Sequence, residues 1–437
     1  MEVTYYIIGI IFLVWGLSCF FIPRKLYFFN YHNQILHYYR YVHLLFLIVL
    51  SSLFFGSNFL NLGRISVFSI FCFLWLIINK CSLIINKAII YSFAVFYCWI
   101  SYTLSYSEGL AEGLLMLAKY FIPIILFIFA YHSLKCINDY LAWLKRINRV
   151  LVIYICVHGF APIGQWEDSI LGWNFFGGEH GYMLAMFLGV PLSLYVQTKE
   201  KKYLLYALVY AIPSVTYMRR AAFAAYSLVL SLFLVYKYKI KGLILVVLLF
   251  VGIVFAILSS PELRERFFGG DRGKQNATSV SFEDLESGDV QINSSGRDAM
   301  WAIVTQKFYI NKEYLGSGLG TMKKFLISED NKNRRFFLIL HNDYLHLLCE
   351  TGLIGLFLWV VFYLSIFISL LKSILKNKNV LLRYSSLMNL GAFLSLGLIM
   401  YYANVVSSPN IFILPFILLG FHLKIVEIVK KDNIERL

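Results

Sequence analysis

Three polar residues stand where an apolar helix begins near the C-terminus. His341, Asn342 and Asp343 open the stretch HNDYLHLLCETGLIGL, residues 341–356, which continues as an apolar run. Histidine has an ordinary pKa of about 6.5, so near neutral pH it can accept a proton from a substrate hydroxyl. His341 is therefore the candidate catalytic residue, and Asn342 and Glu350 are candidate supporting residues.

Three arginines are candidates for binding an anion. Arg219 and Arg220 form a pair in the short joint YMRRAA, and Arg297 lies in the first turn of a predicted helix. A charged side chain at membrane depth costs about 2.5–3.5 kcal/mol on insertion scales, so it is rarely incidental. A cation at a helix N-terminus opposes the macrodipole, but the arrangement is favourable when the cation and the free N–H groups share one anionic ligand.

Each of these residues also has a purely structural alternative. Arg219 and Arg220 could extend to lipid headgroups, with their alkyl stems in the membrane. Arg297 could pair with a loop acid such as Asp298. His341 could do no more than hydrogen-bond the start of its helix.

The relation between His341 and Glu350 depends on where the helix starts. Nine residues of unbroken helix rotate the side chain by about 180°, which would put the two on opposite faces. If Asn342 or Asp343 caps the helix, His341 precedes it and this restriction does not apply. His346 lies five residues after His341, which is not the i, i+4 spacing of two ligands on one helix face. We therefore expect no metal. We also expect no cofactor, and we expect His346 to tolerate substitution.

Composition identifies the class of protein. The chain has 437 residues, of which 59% are hydrophobic and 14% charged, whereas about 25% are charged in a typical soluble domain. Apolar blocks of about 17–25 residues recur throughout, and each can cross a bilayer as a helix. The sequence predicts an all-α polytopic integral membrane protein with about 13 (12–14) transmembrane helices. The predicted spans are 4–22, 41–59, 64–79, 88–106, 113–133, 148–164, 181–197, 203–217, 221–236, 242–260, 350–371, 385–403 and 409–426.

The charges predict an orientation for these spans. The net charge of +15 is explained by basic segments that alternate with the spans and fall on one side, as cytoplasmic segments do. Nucleic acid is therefore not expected as a partner. The acidic turn SEGLAEG, 107–113, falls on the outer side. The N-terminus is then outside and the C-terminus in the cytoplasm. The basic segments are 23–40, 80–87, 135–149, 199–202, 237–241, 372–383 and the C-terminal tail.

The chain divides into three predicted parts. Residues 1–260 form an N-terminal transmembrane bundle, 261–340 a large outer loop, and 341–437 the C-terminal transmembrane helices. Within the loop, Ser294 or Ser295 can cap an amphipathic helix. A glycine-rich turn then leads back to the membrane, and two further glycines allow close helix packing. The apolar positions of the amphipathic helix are Met300, Trp301, Val304 and Phe308; the glycines are Gly316, Gly318 and Gly320 in the turn, and Gly352 and Gly355 beyond it.

Over residues 215–356 these motifs resemble the O-antigen ligase and O-antigen polymerase superfamily, which includes bacterial capsule and exopolysaccharide polymerases. TYMRRAAFAAY is similar to the family's arginine between two mid-chain helices, although this sequence has two adjacent arginines where one is commoner. Which of Arg219 and Arg220 faces the site stays open. The other matching residues, in family order, are Arg297, Gly316 to Gly320, His341, Asn342, Glu350, Gly352 and Gly355.

The resemblance implies a reaction at the outer face of the inner membrane. A polyprenyl (undecaprenyl) diphosphate glycan would be the donor, and a sugar hydroxyl would attack its anomeric carbon. The arginines would bind the diphosphate and His341 would act on the acceptor hydroxyl. The acceptor would be another glycan, for a polymerase, or lipid A core, for a ligase, and other polysaccharide-assembly proteins are possible partners. From another class of protein, a lipid-linked sugar transporter remains an alternative.

Overall fold

The computed structural model describes residue 14 and residues 59–158, 178–212, 220–260, 297–327, 340–406 and 408–434. These ranges contain helices, turns and short connections and no strand, so the all-α prediction is confirmed for them. The helices are α1 Phe59–Ile78, α2 Lys87–Tyr102, α3 Leu110–Ser133, α4 Ile137–His158, α5 Gly178–Phe187, α6 Gly189–Thr198, α7 Lys202–Val209, α8 Arg220–Tyr238, α9 Ile240–Ser259, α10 Arg297–Phe308, α11 Thr321–Ile327, α12 Asp343–Lys376, α13 Val380–Tyr402, α14 Pro409–Phe412 and α15 Leu414–Ile434.

Six helical segments in the described ranges are long and apolar enough to cross a membrane. This agrees with a multi-pass membrane protein. The predicted total of about 13 is not tested, because the predicted spans 4–22 and 41–59 fall almost entirely outside the described residues. The six segments are Lys87–Tyr106, Leu110–Ser133, Gly181–Thr198, Arg220–Tyr238, Asp343–Lys376 and Val380–Tyr402.

Helix α4 begins earlier than its hydropathy predicts. The basic segment 135–149 was predicted as a connection, yet α4 runs from Ile137 to His158. Leu144, Ile147, Leu151 and Ile155 are fully buried, and this spacing forms one apolar stripe along the helix. Mean hydropathy misses such a helix because the polar face cancels the apolar one.

The core of the bundle is aromatic. Helix α3 packs against α15, and α12 packs against α2 and α13. Trp359 of α12 lies between neighbouring rings, with centroids 5.1 Å from Phe96, 5.6 Å from Tyr120 and 6.0 Å from Phe412. Burying such large side chains gives a rigid base from which the first part of α12 extends.

Helix α12 is broken near its start, at Gly352, where φ is 69° and ψ is −176°. The hydroxyl of Tyr344 donates to Gly397 O at 2.9 Å, and that of Tyr363 donates to Phe393 O at 3.0 Å. In a straight helix these tyrosines would be about 28 Å apart, at 1.5 Å per residue. Because their acceptors lie only one turn apart on α13, segment 343–351 must fold across the end of α13.

Candidate functional site

The glycine-rich turn holds the break in α12. Ser317 N donates to Cys349 O at 2.9 Å and Gly318 N donates to Glu350 O at 2.8 Å. The break removes the helical donors from these carbonyls, and buried carbonyls need replacement partners. A Cβ on Gly352 would lie 2.5 Å from Leu315 O, so the close approach requires glycine.

The same turn contacts the acidic turn at 107–113. Ser107 Oγ donates to Leu319 O at 2.7 Å, and Glu108 N donates to Thr321 Oγ1 at 3.0 Å. The predicted tight turn is confirmed, since Gly316, Gly318 and Gly320 all have positive φ. The acidic turn and the glycine-rich turn therefore lie at the same end of the bundle. This agrees with the prediction that both belong to the outer side.

The helix predicted in the outer loop is present as α10, and two of its four predicted apolar positions are buried. Val304 and Phe308 are buried in a small apolar cluster with Met322, Leu326, Leu340 and Cys349. Trp301 Nε1 donates to Leu340 O at 2.9 Å. Helix α10 is thereby attached to the residue that precedes His341.

His341 lies immediately before α12, in a left-handed conformation with φ 56°. Asn342 is the N-cap: its side chain accepts from Leu345 N at 3.0 Å. The backbone N–H of Asn342 donates to Asn404 Oδ1 at 3.2 Å. The helix thus begins after His341, and the restriction on its direction relative to Glu350 does not apply.

Glu350 interacts with His346. His346 Nε2 lies 3.3 Å from Glu350 Oε1, and both side chains are buried. Glu350 Oε1 also accepts from Lys323 N at 3.3 Å. The expectation that His346 tolerates substitution must be revised, because its loss would leave a buried carboxylate without this neighbour. Glu350 thus connects the start of α12 to Lys323 of α11.

Asp343 connects the start of α12 to the turn that follows α13. Its Oδ2 accepts from Val405 N at 2.6 Å and from Val406 N at 3.1 Å. Asp343, His346 and Glu350 are spaced i, i+3 and i+7, so they share one buried face of the helix. This spacing was readable in the sequence, whereas the burial of Lys119 in α3 was not.

The start of α8 lies at this same end. Ser395 Oγ of α13 donates to Ala225 O at 3.4 Å, and Val229 lies against Gly391. The two helices are therefore antiparallel, and Arg220, the first residue of α8, is level with the last turn of α13. Arg219 lies outside the described residues.

Helix α10 reaches that end as well. Arg297 is its first residue, and Trp301 packs on Tyr401 of α13 with ring centroids 5.9 Å apart. The side chain of Arg297 is not among those described. The helix starts that carry Arg220, Arg297 and His341 are thus grouped around one end of α13.

This region is similar to a known protein family. Residues 205–360 match the family model described as O-antigen ligase. The match spans every candidate residue named above: Arg219, Arg220, Arg297, His341, Asn342 and Glu350. No curated protein matches the chain significantly.

Proposed function

We propose that this chain, which belongs to the O-antigen ligase and polymerase superfamily, is a membrane glycosyltransferase that joins polysaccharide repeat units. Its donor is a glycan on polyprenyl diphosphate, and its products are O-antigen, capsule or exopolysaccharide chains. The reaction takes place at the periplasmic face of the bacterial inner membrane, and the C-terminus is cytoplasmic. The observation that carries the proposal is the family match over 205–360, which includes all six candidate residues.

The proposed chemistry is a single displacement. A hydroxyl of the acceptor sugar attacks the anomeric carbon of the donor, the new glycosidic bond forms, and the bond to the lipid diphosphate breaks. The hydroxyl proton passes to His341, and the diphosphate leaves with its charge. Because the donor is already activated, we expect neither ATP nor a cofactor to take part, and no metal.

Arginine suits the leaving group. Negative charge grows on the diphosphate as its bond breaks, so fixed cations at that position stabilise the transition state. The guanidinium binds phosphate oxygens in pairs and remains charged in a poorly hydrated site. We assign this role to Arg297 and to one or both of Arg219 and Arg220. Asn342 fixes the backbone that follows His341, and Glu350 supports α12 through His346 and Lys323.

A ligase is the second candidate, favoured by the description of the matching family. It would transfer the same glycan to lipid A core. The two reactions share donor, leaving group and catalytic residues, so they differ only in the acceptor.

Reconstitution tests the proposal. Purified protein in vesicles receives a polyprenyl-diphosphate repeat unit, with and without lipid A core. Longer glycans on the lipid diphosphate in both preparations identify a polymerase. A product that forms only with the core, and carries it, identifies a ligase. Absence of glycosidic product in both preparations, with the protein inserted, contradicts transfer and leaves transport of the lipid-linked sugar as the alternative.

A further inference from the structure

Both peptide groups that flank His341 are bonded to side chains from other parts of the fold. The peptide between Leu340 and His341 accepts through its carbonyl oxygen from Trp301 Nε1 at 2.9 Å. The peptide between His341 and Asn342 donates through its N–H to Asn404 Oδ1 at 3.2 Å. Because peptide groups are planar, the orientations of these two groups set the φ and ψ angles of His341.

The two side chains that make these bonds lie at the same end of α13. The Trp301 ring packs on Tyr401, in the last turn of α13, with ring centroids 5.9 Å apart. Asn404 directly follows Ala403, the C-cap of that helix. Both bonds therefore fix His341 relative to one element, α13.

The turn that carries Asn404 is itself bonded to the start of α12. Asp343 Oδ2 accepts from Val405 N at 2.6 Å and from Val406 N at 3.1 Å. Asn404 thus bonds the backbone at the start of α12, and Asp343 bonds the backbone of the turn after α13. Reciprocal bonds of this kind restrict both segments, so the Asn404 oxygen has a defined position.

His341 needs such bonds because its backbone is left-handed, with φ 56°. L-residues prefer the right-handed and extended regions, so a histidine without these bonds would relax toward them. That rotation would turn the imidazole away from its present direction.

We infer that Asn404 is a positioning residue for the proposed transfer: with Trp301 it fixes the backbone of His341, and hence the direction of the imidazole, without touching substrate. The inference rests on the proposed function for its kinetic readout. Asn404 lies beyond residues 205–360, which match the family model, so its contacts, rather than the match, carry this role.

Two substitutions in the full-length protein separate the oxygen of Asn404 from the size of its side chain. Asn404→Leu keeps the size and removes the oxygen, and a misplacement of about 1 Å can cost about 100-fold in rate. We therefore expect kcat per inserted protein to fall about 100-fold, with KM for the lipid donor nearly unchanged. Asn404→Asp keeps an accepting oxygen at the same distance from the backbone and should restore most of kcat.

Asn377→Leu is the matched control. Asn377 is also half-buried, but it lies at the other end of α12, where its side chain donates to Ser373 O of its own helix at 2.8 Å. The control should have the kcat of the wild type.

Combining Asn404→Leu with His341→Ala tests whether Asn404 acts through His341. If Asn404 only positions the imidazole, its loss should slow His341→Ala by less than about twofold, because no imidazole remains to be misplaced. Wild-type kcat in Asn404→Leu overturns the inference. An equal factor of loss in both backgrounds also overturns it, because two independent effects multiply.

Hydrogen exchange at the Asn342 amide is a readout that does not depend on activity. A bonded amide exchanges only when its bond opens, and fragment mass spectrometry resolves single amides in the purified protein. Exchange at Asn342 should be faster in Asn404→Leu, return toward the wild-type rate in Asn404→Asp, and stay unchanged in Asn377→Leu. A wild-type exchange rate in Asn404→Leu overturns the inference. If the wild-type protein makes no glycosidic product, the proposed function fails, and this exchange still decides whether Asn404 holds the backbone at His341.

Discussion

At the scale of single residues, His341 is held in a backbone conformation that few side chains adopt. Its φ of 56° costs an L-residue about 1–2 kcal/mol relative to the right-handed region. The capping by Asn342 and the bond from Asn342 N to Asn404 fix the backbone that follows it. Strained backbone that is fixed by its surroundings occurs preferentially at functional sites, so His341 is the first residue of this stretch to test.

Removing the imidazole tests that role. We expect His341→Ala to lower turnover per inserted protein by about 10²- to 10⁴-fold, the usual range for general base catalysis. Donor binding should change little, because in the proposed site the arginines, and not His341, bind the diphosphate. His341→Gln can keep a hydrogen bond but cannot take the proton, so it should retain part of the activity. Turnover and donor affinity are measured on reconstituted protein, after the inserted amount is quantified.

His346 provides the comparison within the same stretch. His346→Ala removes the group 3.3 Å from the buried Glu350 carboxylate, and leaving a buried polar group unpaired costs about 1–3 kcal/mol. Its main effect should be a smaller amount of folded protein, with a smaller loss of turnover than in His341→Ala. Near-normal turnover in His341→Ala would remove His341 from the catalytic residues.

Sequence reasoning reached only part of this arrangement. Asn342 as a possible cap and the shared face of Asp343 and Glu350 follow from local rules. The i, i+4 spacing of His346 and Glu350 also permits their pairing, but that pairing was not predicted. The burial of Lys119 depends on which helices meet, and a single lysine in an apolar run gives no periodic signal of that.

At the scale of elements, the break in α12 organises the site. The sequence predicted a glycine-rich turn and close packing at Gly352 and Gly355. Gly355 does face α2, with its Cβ position 3.3 Å from Trp99. The break at Gly352 was not predicted, because a glycine within a helical pattern is usually tolerated and the break needs the backbone of Leu315 beside it.

Substitution of Gly352 tests the break. In Gly352→Ala the residue must keep a φ of 69° and place a Cβ 2.5 Å from Leu315 O. We expect a lower melting temperature in detergent and reduced turnover in the protein that folds. Gly252→Ala in α9 is the control, because its Cβ meets nothing within 4 Å and alanine favours a helix over glycine by up to about 1 kcal/mol. Equal melting temperatures for the two variants would show that the break is not required.

At the scale of the whole molecule, hydropathy located the helices well. The predicted spans are helical over most of their described residues, although 181–197 covers both α5 and α6 and 409–426 covers both α14 and α15. Hydropathy finds these segments because a helix that crosses a membrane must be apolar over most of its length. The prediction failed at the start of α4, where packing buries one face of a basic helix. The grouping of Arg220, Arg297 and His341 at one end arises from the register of α8, α10, α12 and α13, which no local pattern specifies.

Sidedness can be measured directly. We predict that Arg219, Arg297 and His341 all lie on the outer side of the membrane. Single cysteines at these positions, in a background without the seven native cysteines, should react with an impermeant thiol reagent added from outside. A cysteine at Lys376, at the far end of α12, should be protected. Labelling of 219 and 297 from opposite sides would rule out a common diphosphate site.

The most direct test of the central claim is glycan transfer by Arg297 variants in vesicles that contain the polyprenyl-diphosphate donor. Arg297→Ala should abolish product while insertion stays normal, and Arg297→Lys should recover little, because an ammonium cannot replace the paired hydrogen bonds of the guanidinium. Lys376→Ala, an exposed charge at the opposite end of α12, should transfer glycan at the wild-type rate. Wild-type transfer by Arg297→Ala would contradict a transfer site at this end of the bundle.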